Sequence, residues 1–398
     1  MATGRTCDTA GVARFGDGLA VGGDLLAAAE AATVDALAPL GGRVPDLVCV
    51  FVSGADPDAC TAALERAAAS APAGAVLGCS AGGVIGGATG VEGRSAVSVF
   101  AAVLPGVRLR SFHLEVMRSE AKAAVVGMPE LAGDDVAVLL TDPYSFPVDG
   151  FLVQANTALP GLPVVGGVAA GPRGAGSTRL LVDGRVVDRG AVGLLLQGSG
   201  VRTLVSQGCR PVGPVMTVTA ASGNVVRGLA GVPALQRLEQ LLRELPPADQ
   251  ALASSGLQIG LAVDEYAEEH DYLVRPILGV ERETQGVVVG DLVEVGSSVR
   301  LQVRDADAAD ADLRRMLAGY RRDTLDAPAG GALLFSCNGR GAHLFGSAHG
   351  GADHDPALVR SELAAQGVAG FFAGGEIGPV AGRNALHGFT ASVLAFPG

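Results

Sequence analysis

The sequence predicts a mixed α/β (α+β) fold. It consists of two domains of mixed β-sheets flanked by helices, built from repeated strand-helix-strand-strand units. Three observations carry this. A glycine-rich phrase recurs as Ala81-Gly82-Gly83-Val84-Ile85-Gly86, Val165-Gly166-Gly167-Val168-Ala169-Ala170-Gly171 and Ala373-Gly374-Gly375-Glu376-Ile377-Gly378. Each copy follows an apolar run (Leu47 to Val52, Val136 to Leu140, Ala332 to Phe335) and a helix-like stretch, and precedes another (Ala96 to Leu104, Ala191 to Leu196, Phe389 to Phe396). Finally, 398 residues exceed what one core holds, since domains run to roughly 100–200 residues. Paired glycines lack a Cβ and accept φ > 0, so they serve tight turns, bulges or close backbone approach to a ligand.

The first unit reads as strand Leu47 to Val52, helix Pro57 to Ala69, strand Ala75 to Cys79 with its glycine turn, and strands Ser95 to Leu104 and Arg108 to Val116. Asp56 before Pro57 marks the helix start, because a carboxylate accepts an orphan amide and proline suits the first turn. A second unit spans Asp135 to Gln197, with a helix from about Pro147 to Pro160 and a hairpin from Thr178 to Arg189 around Asp183-Gly184. An apolar strand and a β-rich segment follow from Val201 to Leu229. The polar helix Pro233 to Leu245, stopped by Pro246-Pro247, places a domain boundary between about 215 and 250. Strands Leu257 to Val263, Tyr272 to Val280, Gly286 to Val295 and Arg300 to Arg304 and helix Ala308 to Arg322 lead to the third unit, Gly331 to Pro397. The helical crossover implies parallel neighbours, and a direct return to the last strand implies an antiparallel pair.

Apolar residues make up 48% of the chain and charged residues 18%, a composition for extensive packing. The net charge of −12 without a basic cluster argues against a nucleic-acid partner. Met1 to Asp24 has no basic segment followed by an apolar run, and the longest apolar run, Ala96 to Leu104, is too short to cross a bilayer. The expectation is a cytoplasmic protein without a membrane partner. Six cysteines without a Cys-x-x-Cys pair fit reduced thiols.

Chemistry concentrates in the last 70 or so residues: Cys337, Asn338 and Arg340, then His349, His354 and Asp355, then Gly375 and Glu376, then Arg383 and His387. A carboxylate such as Glu376 inside an apolar strand faces solvent or meets Arg340, Arg383 or a ligand; a shared pocket explains all three, and so does an internal ion pair. Cys337 with His387 and Glu376 has the residue types of a nucleophile, base and orienting acid, although a free cysteine in a strand is more often a small buried hydrophobe. His343, His349 and His354 with Asp353 and Asp355 match no metal-ligand spacing, and Asp355 before Pro356 reads as a helix N-cap. His387 is a candidate axial haem ligand or a hydrogen-bonded core histidine. Arg210 and Arg275 precede prolines that fix the adjacent backbone and aim them at an anion, or stand as surface arginines before turns. The glycine turns lead into strands, which disfavours a nucleotide cradle.

These motifs resemble the FIST N-terminal and C-terminal domains. The N-terminal likeness lies in Gly78-Cys79-Ser80-Ala81-Gly82-Gly83, Leu162-Pro163-Val164-Val165-Gly166-Gly167 and Gln207-Gly208-Cys209-Arg210-Pro211-Val212-Gly213. The C-terminal likeness lies in Arg275-Pro276-Ile277, Phe335-Ser336-Cys337 with Gly339-Arg340-Gly341, and Gly374-Gly375-Glu376-Ile377-Gly378 with Phe389-Thr390-Ala391. The resemblance implies an N-like domain over 1–230 and a C-like domain over 231–398. It implies a sensory module, not an enzyme, that binds a small ligand such as an amino acid or related metabolite without a fixed cofactor. One branch of the family is described as haem-based nitric-oxide sensing, which keeps His387 and His349 in play. With no output segment left over, the expected partner is a separate signalling protein, and a homodimer stays open. A Cys337-dependent enzyme and an interaction scaffold are the other readings.

Overall fold

The computed structural model describes residues 11–118, 123–172, 174–264, 266–267 and 271–398. Three mixed sheets repeat one plan. In the first unit, strands Leu47–Ser53 and Ala75–Ser80 are parallel neighbours joined by helix Pro57–Ser70, and Ala96–Val103 runs antiparallel on the other side of Leu47–Ser53. In the second, Val136–Thr141, helix Val148–Ala158, Val164–Val168 and Ala191–Gln197 take the same places. In the third they are held by Ala329–Cys337, helix His354–Glu362, Gly367–Ala373 and Ala391–Pro397. An outer strand completes each: Arg14–Val21, Arg108–Arg118 and Arg202–Ser206.

The return from the parallel pair is not direct, contrary to the sequence expectation. A hairpin intervenes in each unit and joins a neighbouring sheet. Gly83–Gly86 with Thr89–Glu92 extends the third unit at Gly367–Ala373. Leu180–Val182 with Arg185–Val187 extends the first at Ala75–Ser80. Glu376–Val380 with Arg383–His387 extends the second at Val164–Val168. The units thus exchange hairpins in a closed cycle, and every parallel pair is flanked by antiparallel strands. The Asp183-Gly184 turn has the two positive φ values, 47° and 77°, that a tight hairpin needs.

The glycines are explained by strand contact. A Cβ on Gly78, Gly166 or Gly370 would lie 2.2, 2.0 or 1.7 Å from the carbonyl oxygen of Val50, Leu139 or Leu334 on the parallel neighbour. These are the equivalent positions of the three units. The sequence phrase aligns Gly166-Gly167 with the doublets Gly82-Gly83 and Gly374-Gly375. In the structure the middle doublet lies inside strand Val164–Val168, whereas the other two open hairpins.

The inner faces of the three sheets meet in one core, with Phe15, Phe100 and Phe396 at ring separations of 5.7–6.2 Å. The outer faces are covered by Leu25–Leu37 and Pro57–Ser70 on the first sheet, Val148–Ala158 on the second, and Ala306–Asp323 with His354–Glu362 on the third. Burial on both faces is why the strands read as continuous apolar runs.

Between Arg202–Ser206 and Ala329–Cys337 the chain builds a closed antiparallel barrel. Its strands are Cys209–Ser222, Val225–Leu229, Leu257–Ala262, Tyr272–Glu281, Gly286–Val289 and Ser298–Arg304, with Cys209–Ser222 bonded to both Ser298–Arg304 and Val225–Leu229. The barrel has its own aliphatic core and carries helices Ala234–Glu244 and Pro247–Gly256. Sequence reasoning missed the second of these by treating Pro246-Pro247 only as a stop, although proline also suits a helix start. It also missed strand Arg14–Val21 and helix Leu25–Leu37. That helix is alanine-rich and lacks a sharp polar face, yet Asp24 caps it by accepting from Leu26 N and Ala27 N, each at 3.1 Å.

Candidate functional site

The polar residues of the third unit separate into distinct clusters. After strand Ala329–Cys337 the chain turns so that Arg340 points into the protein, with no solvent exposure. Its partner is Asp355, not Glu376: Nε donates to Oδ2 at 2.7 Å and Nη2 to Oδ1 at 2.9 Å. Ser336 Oγ donates to the same carboxylate at 2.6 Å, and His354 bridges Asp355 Oδ1 and Asp310 Oδ1 at 2.9 Å each. Phe345 stacks on His354 at 3.5 Å between centroids, and the Arg340 guanidinium lies 5.3 Å from the Phe345 ring centre. Burial opposes ionisation of Asp355. The Arg340 charge, with hydrogen bonds from His354, Arg340 and Ser336, outweighs it and holds the carboxyl well below the usual range. The N-cap reading of Asp355 is therefore corrected: it lies in the first turn of helix His354–Glu362 and faces Arg340.

Glu376 is fully buried at the start of its hairpin. Oε2 accepts from Thr390 N at 3.1 Å and from Thr390 Oγ1 at 2.9 Å. Oε1 meets no hydrogen-bond partner among the described residues, and the carboxyl group interacts with the neighbouring Cys337 thiol. Burial pushes the Glu376 carboxyl up to about 8 against the Thr390 hydrogen bonds. Burial, then the Glu376 charge, push the Cys337 thiol well above its ordinary range, the reverse of what an activated nucleophile needs. His387 opposes Glu376 in the hairpin register, but its Nε2 donates to Gly378 O at 3.0 Å. Burial holds the His387 imidazole neutral, down to about 4.

The acid has a measurable consequence. Folded Glu376 keeps its proton to about pH 8 whereas the unfolded chain releases it near 4.5, so the folded state binds the extra proton and stability falls as pH rises through 8. His387, lowered from 6.5 to about 4, acts oppositely, and its contribution is lost as pH falls through that window. Glu376→Gln should flatten the decline measured by urea unfolding between about pH 6 and pH 9. Parallel declines in variant and parent would show that Glu376 does not titrate there.

The remaining candidates lie elsewhere. Arg210 is paired twice, from Nε to Asp305 Oδ2 at 2.6 Å and from Nη2 to Asp249 Oδ1 at 2.5 Å. Asn338 is exposed, and Gly375 is buried against Leu386. His349 Nε2 contacts Asp307, so the three histidines do not converge; no group of three or more His, Cys, Asp or Glu could hold a metal ion among the described residues. As axial haem ligands His387 and His349 fit poorly, since each Nε2 is engaged by protein and neither residue lines the clefts described next.

Arg275 and Arg383 do come together. They line a cleft of about 350 Å³ at the seam between the barrel, helix Val148–Ala158 and hairpin Glu376–His387. Arg275 Nε donates to Asp291 Oδ2 at 2.7 Å and Nη1 to Leu386 O at 2.9 Å, which ties barrel to hairpin. Arg383 is exposed and has no acidic partner among the described residues. Asp149 and Glu294 face the same space, with Leu152, Leu261 and Leu273 as the apolar wall. Burial raises the Asp149 carboxyl, Arg275 opposing and Asp291 adding to the rise. Sequence reasoning missed Asp149 because it read as part of a helix start, and Asp291 because nothing local links it to Arg275.

Hairpin-exchanging mixed sheets, an inserted barrel and a charged cleft on their seam define an α/β protein built of two joined bodies. This chain belongs to the FIST family: the FIST N domain matches residues 46–232 and the FIST C domain residues 234–379. Such domains are sensory domains proposed to bind small ligands. An uncharacterized protein of Mycobacterium tuberculosis strain H37Rv is 42% identical over 387 residues, 96% of this chain and 99% of its own length. An uncharacterized protein of Mycobacterium bovis is 40% identical over 387 residues, 96% of this chain and 98% of its own length. No helix among the described residues is long and apolar enough to cross a membrane.

Proposed function

We propose that this protein senses a small zwitterionic metabolite of the amino-acid type, bound in the seam cleft, and reports its state to a separate signalling protein. The observation that carries the reading is the pairing in one cleft of an arginine without an acidic partner among the described residues, Arg383, with the acids Asp149 and Glu294. A ligand carboxylate would take the Arg383 fork, where paired N–H donors match two oxygens. Its ammonium would lie toward Asp149 and Glu294, and its side chain on Leu152, Leu261 and Leu273. A ligand touching both barrel and hairpin favours the arrangement in which they are held together, and that population shift is the signal.

The test is thermal unfolding of the whole chain with each common amino acid. A ligand that binds only the folded state at a hundred times its Kd stabilises by about 2.7 kcal/mol. Arg383→Ala, at an exposed site, should leave the unliganded Tm unchanged and weaken binding by about tenfold or more. If no amino acid raises Tm, or if Arg383→Ala binds as the parent does, the reading fails.

A further inference from the structure

The three units present three equivalent corners at the C-terminal ends of their parallel strand pairs, where α/β sheets commonly take ligands. Alignment on Gly78, Gly166 and Gly370 makes Ser53, Asp142 and Cys337 the equivalent residues at these ends. Two corners are filled by protein. In the second unit the Asp142 carboxylate accepts from Ser145 N at 2.8 Å, Ser145 Oγ at 2.6 Å and Tyr144 N at 3.2 Å. In the third, Phe389 holds a left-handed φ of 63°; its ring sits where a Cβ on Gly339 would meet it at 3.0 Å, and the Arg304 guanidinium lies 5.2 Å from its centre.

The first unit has no such filling among the described residues. Counting back from the last strand, Ser95 stands in the place of Phe389. Around it is an open cleft of about 280 Å³, bounded by Gly54, Ala55 and Gly82 and closed on one side by Gly171 of the second unit. Among the described residues Arg94 is the one charged residue in its lining, is exposed, and has no carboxylate partner. The amides of Gly54, Ala55 and Gly82 donate to no protein acceptor among the described residues. Ser53 and Ser95 also line this space, with the Ser53 hydroxyl donating to Gly82 O at 3.4 Å. An arginine without a carboxylate partner among the described residues, free amides and small side chains suit an oxyanion that approaches the backbone closely. Helix Pro57–Ser70 supplies little of this attraction, because Asp56 already caps it.

We propose that this corner is a second ligand site, separate from the seam cleft, for the carboxylate or phosphate group of a small anionic metabolite held by Arg94 and the glycine-turn amides. Inorganic phosphate and butyrate, titrated calorimetrically into the full-length chain, are the probes. The expected result is binding of at least one, weakened about tenfold or more in Arg94→Ala and abolished in Ser95→Phe, which copies the filling of the third unit. Arg383→Ala should leave this binding unchanged. Binding of phosphate alone or of butyrate alone assigns the group; binding of both supports a general oxyanion site. The proposal is overturned if neither probe binds, if both corner variants bind as the parent does while keeping its circular dichroism spectrum, or if Arg383→Ala removes the binding instead.

Discussion

Arg340→Ala should lower the stability of the folded chain by about 3–5 kcal/mol, the range for removing one partner of a buried ion pair. The guanidinium has no solvent exposure and holds Asp355 through two hydrogen bonds, so truncation leaves a carboxylate buried at the end of a sheet with only Ser336 and His354 as donors. The arginine also donates weakly to Gln207 O at 3.4 Å and Phe389 O at 3.5 Å, tying the strand end to the chain entering the barrel and to the last turn before strand Ala391–Pro397. Asp355→Ala should be comparably damaging, because it strands the cation. The double change Arg340→Met with Asp355→Leu should be milder than either single one, since desolvated pairs offset much of their own attraction. Urea unfolding of the four proteins measures this directly. A loss below about 1 kcal/mol in Arg340→Ala would mean the pair is hydrated as surface pairs are. Because Asp355 is held below the ordinary carboxylate range, its contribution is complete above that range and disappears only as pH falls through the depressed value.

The parts of the fold visible in the sequence are those fixed by local chemistry. Doubly buried strands show as apolar runs, the Asp56-Pro57 start shows as a helix cap, and Asp183-Gly184 shows as a hairpin. Hairpin exchange leaves no such mark, because the edge of any parallel pair accepts any short antiparallel hairpin, and which edge is used depends on how three sheets close around one core. The same limit applies to the site. Glu376 stands out as a carboxylate in an apolar strand, but its neighbours are decided by packing: Arg340 went to Asp355 instead, and Thr390 became the donor. Arg275 and Arg383 were identified as polar candidates, yet their meeting at one cleft required the barrel to seat against hairpin Glu376–His387. Arg94 was passed over because an arginine in a turn looks like ordinary surface.

Gly370→Ala should be among the most damaging single-methyl changes in the molecule, and Gly78→Ala and Gly166→Ala are its equivalents in the other two units. The added carbon would fall 1.7 Å from Leu334 O, 2.2 Å from Val50 O or 2.0 Å from Leu139 O, distances at which the backbone of a neighbouring parallel strand must move. These strands are held on both sides, Gly367–Ala373 between Ala329–Cys337 and Gly83–Gly86, so displacement disturbs two ladders at once. Overpacking in a dense core costs about 1–3 kcal/mol and more where backbone must shift, so a loss of about 3 kcal/mol or above is expected at each position. Gly166 carries an added strain from its φ of 151°, which L side chains rarely adopt. The matched control is Gly319→Ala in helix Ala306–Asp323, where the new carbon meets only the tip of Arg322 at 3.7 Å. It should gain about 1 kcal/mol, as helix interiors do on replacing glycine. Measured side by side, three large losses and one gain would show that these glycines are required by the approach of parallel backbones. A tolerated alanine at any of the three would mean that unit does not pack its strand pair as described, and would break the equivalence on which the comparison of the three corners rests.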